Sequence, residues 1–264
     1  MRNISLRKSI YSLIITFLLA CFAFILIQLN ASRPVSIIKA LNLQYGLSQP
    51  ARDIAFKANF FGFLGLAEAE LRDRGEELYE GRKVYHLEGV ARATKFISWF
   101  YNAYAEIDSV VDKNKLHSLR FTQTLVFPDK PKEVRTLFYD QENNIMELRG
   151  VKRNILPDTQ DPLSAMYYIQ RQELAPGKEF DININTNNKN YRLYIKVIKK
   201  EGYVIGGKKT GAWVLQGDIR RRDKSPRHSS AITLWVLDGP YKIPFLMKII
   251  SSAGPVTARL VKVQ

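Results

Sequence analysis

Residues 118–127 read Ser118-Leu119-Arg120-Phe121-Thr122-Gln123-Thr124-Leu125-Val126-Phe127. Leu119, Phe121, Leu125 and Phe127 fall on one side of an extended chain, and Ser118, Arg120, Thr122 and Thr124 on the other. Period two marks a strand buried on one face. The pattern returns at Ile54, Phe56, Ala58 and Phe60, and at Tyr191, Leu193, Ile195 and Val197 opposite Arg192, Lys196 and Lys200. Val84 to Arg92, Thr233 to Leu237, Phe245 to Ile250 and Val256 to Val263 read as further strands. The one around Trp235 is apolar on both faces and belongs inside the sheet, away from its edges. Turn signals separate the strands at Asp73 to Gly75, Glu80-Gly81, Asp140 to Asn144, Asn185 to Asn190, Gly206-Gly207 and Asp238-Gly239-Pro240. Strands do not alternate with long helices, so the pattern predicts successive antiparallel hairpins and argues against a parallel nucleotide-binding sheet.

Helix signals are few. Asp161 is placed to cap a helix that starts at Pro162, with Leu163, Met166 and Tyr167 on its apolar face, before Pro176-Gly177 stops it. Loss of such a cap costs about 1 kcal/mol. Phe96 to Asn102 predicts a second, short helix.

The N-terminus has a different character. Ile10 to Leu29 carries no charge, and residues 1–39 hold five basic residues and no acid. Twenty helical residues span about 30 Å, the thickness of a bilayer core. The expectation is an uncleaved single-pass anchor within residues 1–31, with Arg2, Arg7 and Lys8 cytoplasmic and the C-terminal part outside. Residues 32–50 then form a tether and 51–264 one β-rich envelope domain. Lipidation at Cys21, after Leu18-Leu19-Ala20, and signal cleavage remain the alternatives.

Composition closes off several functions. One Cys excludes a disulfide framework and a Cys-rich zinc site, and three scattered His disfavour a His-based metal centre. No metal or other cofactor is expected. The net charge is +15, and +10 once the five N-terminal basic residues are set aside. With the domain exported, nucleic acid is not an expected partner; anionic lipid headgroups or envelope polymers fit the sign better. Arg220, Arg221, Arg222, Lys224 and Arg227 make the densest basic patch, read as an exposed hairpin loop.

Catalytic motifs are absent or weak. Asp140 to Asn144 lacks the glycine and the terminal acid of a calcium loop, where Val151 stands. Gly206-Gly207-Lys208-Lys209 has the wrong spacing for a phosphate loop. Asp158 and Asp161 could pair for acid–base work, but a capping role for Asp161 competes. His86, His117 and His228 stand near no nucleophile motif. No catalytic residue is assigned.

The remaining signal is aromatic. Phe61, Phe63 and Leu64 form one block and Trp99, Phe100 and Tyr101 another, beside the small residues Gly62 and Gly65. Core packing explains both; the functional alternative is that these six residues line an apolar hollow.

Several stretches together carry a family likeness. They are Gly62 to Ala69, Gly81 to Leu87, Phe100-Tyr101 with Glu106 to Ser109, Pro157 to Tyr168, Leu234 to Leu237 with Ile243-Pro244, and Gly254 to Ala258. On these the chain resembles, over about residues 50–264, the exported bacterial family catalogued as domain of unknown function 3108. The resemblance implies a secreted, periplasmic or membrane-tethered protein, with a sheet similar to the curved half-barrels of lipoprotein carriers. It implies no catalytic residue. The chain departs from many relatives in lacking a Cys near Trp213 and in its basic 220–228 loop.

The combined expectation is a mostly β protein: an anchor helix, then a curved antiparallel half-barrel with one or two short helices. Its function is to bind a lipid or other amphiphile at the inner membrane. The alternatives are a scaffold that binds an envelope protein through a sheet edge or the basic loop, and an envelope hydrolase.

Overall fold

The computed structural model describes residues 53–186, 188–205, 207–223, 229–251 and 254–263. The expected anchor and tether lie outside them. Among the described residues no helix is long and apolar enough to cross a membrane.

The N-terminal half supplies β1 (Asp53–Phe60), β2 (Leu64–Tyr79), β3 (Arg82–Ala93), the single-turn α1 (Lys95–Ser98), β4 (Tyr104–Asp112), β5 (Ser118–Phe127), β6 (Lys130–Asp140), β7 (Ile145–Leu148) and β8 (Val151–Asn154). Then come α2 (Pro162–Arg171), β9 (Glu179–Thr186), β10 (Lys189–Ile205), β11 (Lys208–Arg221), β12 (Ser229–Leu237), β13 (Pro244–Ser251) and β14 (Gly254–Val263). All fourteen strands join one antiparallel sheet in the order β8-β7-β6-β5-β4-β3-β2-β1-β14-β13-β12-β11-β10-β9. Two meanders therefore meet where β1 pairs with β14, leaving β8 and β9 as the edges. β12 runs between β11 and β13, away from either edge, as its apolar faces require.

The alternation holds at Phe121, Leu125 and Phe127, which lie in the main core, but not at Leu119, which packs in a separate cluster with Val84 and Val110 on the opposite face. Ser118 departs from it, because a register shift at Val110/Val111 brings its hydroxyl inside. Glu80-Gly81 forms the expected hairpin turn, both residues at positive φ. Asp73 to Gly75 is not a turn. It is a bulge within the sixteen-residue β2, where Gly75 has φ 89° and its N–H donates to Asp73 Oδ1 at 2.8 Å. A bulge and a turn draw on the same glycine chemistry, so only the pairing of β2 with β3 tells them apart. α2 ends at Arg171, short of Pro176, and α1 is shorter than 96–102.

The sheet is curled. α2 packs against β9 at one edge and against β3 and β4 well inside the other half. A flat sheet would hold those strands far apart. The edge strands β8 and β9 do not pair with each other; residues 157–161 tie β9 to the start of β5 and the end of β6. Gln160 bridges to β9, its N–H donating to Asn183 O and its C=O accepting from Asn185 N–H, both at 2.8 Å. Gln141, just past β6, donates to Thr159 O at 2.8 Å, and Ser118 N–H to the same carbonyl at 3.3 Å. The sheet is thus curled but not closed, and a loop spans the gap.

Candidate functional site

α2 begins where the clasp ends. Asp161, fully buried, takes N–H donors from Leu163 at 2.7 Å and Ser164 at 3.0 Å on Oδ1. Its Oδ2 accepts from Ser109 of β4 at 2.5 Å and Ser118 of β5 at 2.7 Å. Ser164 Oγ accepts the Asp161 N–H at 2.9 Å, which completes a capping box. Burial pushes this carboxyl above its ordinary range, while the Ser109 and Ser118 hydroxyls and the two amides oppose the shift. Asp158 turns elsewhere: its side chain is 76% exposed and meets His117 Nδ1 at 3.1 Å. The two acids thus have different partners.

Two gaps flank α2 inside the curl. Toward β9–β13 a gap of about 50 Å³ lies between Ala165, Met166 and Ile169 and a wall that includes Ile195, Leu234 and Met247. Every lining residue except Gln170 and Lys242 is apolar. Toward β1–β3 a second gap, about 80 Å³, lies between Leu163, Met166 and Tyr167 and the wall of Ile54, Leu71 and Leu87. Its mouth is polar, with Arg72, Asp73, Glu88 and Arg171. Burial, with Asp73 beside it, raises the Tyr167 hydroxyl far above the usual phenol range, so it remains protonated and donates to Asp73 Oδ2 at 3.3 Å. The Arg171 guanidinium lies 4.6 Å from the Tyr167 ring centre and 4.9 Å from that of Tyr85.

The aromatic blocks are elsewhere. Phe61, Phe63, Trp99 and Phe100 are 58%, 82%, 82% and 76% exposed. The expectation that they wall a hollow between sheet and short helix is corrected: they crown one end of the sheet, where hairpin tips have no strand above them. Leu64 is half-buried, and Tyr101 alone of the six packs against the main core, 6.1 Å from Phe127. In the basic patch, Arg220 pairs with Asp218, Arg221 with Asp223 at 2.5 Å, and Arg222 donates to Asn183 at 2.6 Å. Lys224 and Arg227 lie outside the described residues.

A polar ladder crosses β2–β5 and involves His86. His86 Nε2 contacts Asp108, its Nδ1 lies 3.1 Å from Glu77, and Arg120 donates to Asp108 at 2.9 Å. His86, Glu88 and Asp108 are close enough to share a cation, but Glu88 already holds Arg74 at 2.8 Å. The arrangement is therefore an ion-pair ladder. Burial pulls the imidazole down, and its bonds to Asp108 and Glu77 outweigh that, leaving it above its ordinary 6.5. A raised folded value means the stabilisation is complete below 6.5 and is lost as pH rises through the folded value. Thermal melts of wild type and His86→Gln should converge as pH increases across that window. A difference that does not change with pH would contradict the protonated reading.

The family model "Protein of unknown function (DUF3108)" matches residues 56–261, from β1 to β14. The chain belongs to the DUF3108 family. This DUF3108 match takes in the clasp, α2 and the whole lining of the gap toward β9–β13. None of the curated proteins matches the chain. Among solved structures it is similar to the beta-barrel-like protein of domain of unknown function DUF1849 from Brucella abortus, at 13% identity and TM-score 0.57 over 80% of this chain and 96% of that one. At that identity the likeness is one of fold. A duf1089 family protein from Pseudomonas aeruginosa matches at 11% identity and TM-score 0.38, over 66% of this chain and 87% of that one.

For the DUF3108 chain, sequence reasoning missed the groove beside α2. The signal was there: Leu163, Ala165, Met166, Tyr167 and Ile169 make the helix apolar on more than one side, as a helix enclosed by sheet must be.

Proposed function

We propose that this protein is a membrane-tethered cell-envelope binding protein that takes the apolar chain of a lipid or other amphiphile into the groove between α2 and β9–β13. The observation that carries the reading is that groove's lining, apolar except for Gln170 and Lys242. It contains no His, Cys, Ser or carboxylate, which favours binding over catalysis. Lys242 offers a cation to an anionic headgroup. The tether rests on Ile10 to Leu29 and the basic residues before it.

Ligand pockets usually measure about 300–1,000 Å³, so a gap of about 50 Å³ has to widen before a chain enters. Asp161 pins the N-terminal end of α2, and the helix widens the groove by pivoting about it. Met166 and Met247, unbranched and adaptable, line the moving seam. Recognition through a sheet edge is less favoured. Edge β8 is four residues long and carries Lys152 and Arg153, while β9 already carries the Gln160 bridge.

The test is Met247→Trp in the full chain, probed with a fluorescent fatty acid and by mass spectrometry of extracted lipid. A bound chain that can no longer bury two of its methylenes there forfeits about 1.6 kcal/mol. The variant should bind more than tenfold more weakly while keeping the parent's melting temperature to within a few degrees. Equal binding by parent and variant, or no lipid on either, would reject the groove.

A further inference from the structure

The chain enters β1 at Asp53, and in an antiparallel meander alternate connections share an end. The end away from that entry therefore collects the β1–β2 turn, the β3–α1–β4 connection and the β5–β6 turn. Five large apolar side chains stand there in water: Phe61, Phe63, Phe96, Trp99 and Phe100, each more than half exposed. Adjacent strands are about 4.8 Å apart, so the tips of β1, β2 and β3 bring both aromatic groups within about 10 Å. The link is direct: Thr94, the cap of α1, donates through its N–H to Leu66 O at 2.9 Å and through its hydroxyl to Gly65 O at 2.8 Å. Phe61 is held at φ 48°, a strained backbone for a bulky residue, by its N–H bond to Pro255 O at 2.8 Å. That strain holds a ring outward without burying it.

Cations surround this crown. Arg92 lies in β3 just before α1, Lys95 begins α1, and Lys130 and Lys132 lie at the start of β6, all exposed. Lys130 lies 5.7 Å from the Phe127 ring centre, and Phe127 is the ring on which Tyr101 packs, so the β5–β6 turn adjoins the exit of α1. Exposed rings ringed by Lys and Arg match the chemistry of a bilayer interface: the rings enter the headgroup layer and the cations meet phosphate. The geometry points to docking of this end on an anionic phospholipid bilayer, with Phe61, Phe63, Trp99 and Phe100 inserted and Lys95 and Lys130 against the headgroups. The docking does not depend on the groove, since none of the crown's residues lines it.

Trp99 reports on it. The full chain, with its apolar N-terminal residues held in nanodiscs of phosphatidylcholine, is mixed with vesicles of brominated lipid. One set is equal parts phosphatidylglycerol and phosphatidylcholine, the other phosphatidylcholine alone. The emission lost on Trp99→Phe isolates this residue from Trp213 and Trp235. Its quenching should be at least threefold greater with the anionic vesicles. Lys95→Gln and Lys130→Gln should each weaken partitioning about fivefold. Trp99 is largely exposed, so its variant leaves the fold intact. Absence of Trp99-dependent quenching by anionic vesicles, or equal quenching by both sets, would overturn the proposal; the first would leave a protein partner as the occupant.

Discussion

Gly217→Ala should prevent this protein from folding, or destabilise it by more than about 4 kcal/mol. Gly217 faces Ile195 in the long β10–β11 hairpin, and a Cβ there would lie 1.8 Å from the backbone oxygen of Tyr194. No side-chain rotation relieves a clash with backbone, so the ladder must open where Ile195, Val197 and Leu215 are almost wholly buried. Gly202 is the control. It sits in the same hairpin with nothing within 4 Å of its Cβ direction, so Gly202→Ala should melt near wild type. Soluble yield and thermal melts of the two variants decide the matter. A Gly217→Ala protein that melts within a few degrees of the parent would show that the β10–β11 approach is looser than described.

Asp161→Ala is expected to cost about 3–5 kcal/mol, well beyond the 1 kcal/mol of an ordinary cap. The substitution removes the acceptor of two amides and two serine hydroxyls at a fully buried site. These donors belong to α2, β4 and β5, so its loss loosens the clasp. For a domain of this size the melting temperature should fall by about 10 °C. A fall under 2 °C would mean that water or neighbouring groups satisfy the donors. The charge adds a sign to the experiment. Burial raises the folded carboxyl above the unfolded value of 3.8, so the folded state holds its proton longer. Stability from this group is then complete below 3.8 and declines as pH rises through the folded value. The gap between wild type and Asp161→Asn should therefore narrow as pH increases.

Strands, turns and the capped helix were legible because each depends on neighbours in sequence. Alternation at Ile54 to Phe60 and at Ser118 to Phe127 needs only a water side and a protein side. Asp161 and Pro162 announce a helix start through local backbone chemistry. The groove was not legible, because its walls come from α2 and strands far apart along the chain. The aromatic blocks were misplaced for a related reason. Composition gives Phe63 and Trp99 an apolar character but not a position, and a hairpin tip reads like a strand interior until the register is known.

The sequence by itself determined a β meander, its family and one helix capped by Asp161, since periodicity, turn chemistry and capping act over a few residues. Only the tertiary structure decided that Pro157 to Asp161 clasps the sheet, that α2 occupies the curl, and that the aromatic rings crown its far end. The physical reason is the sheet order. It pairs β1 with β14, the first and last described strands, and leaves β8 and β9 as edges, so that a loop ties β9 to β5 and β6.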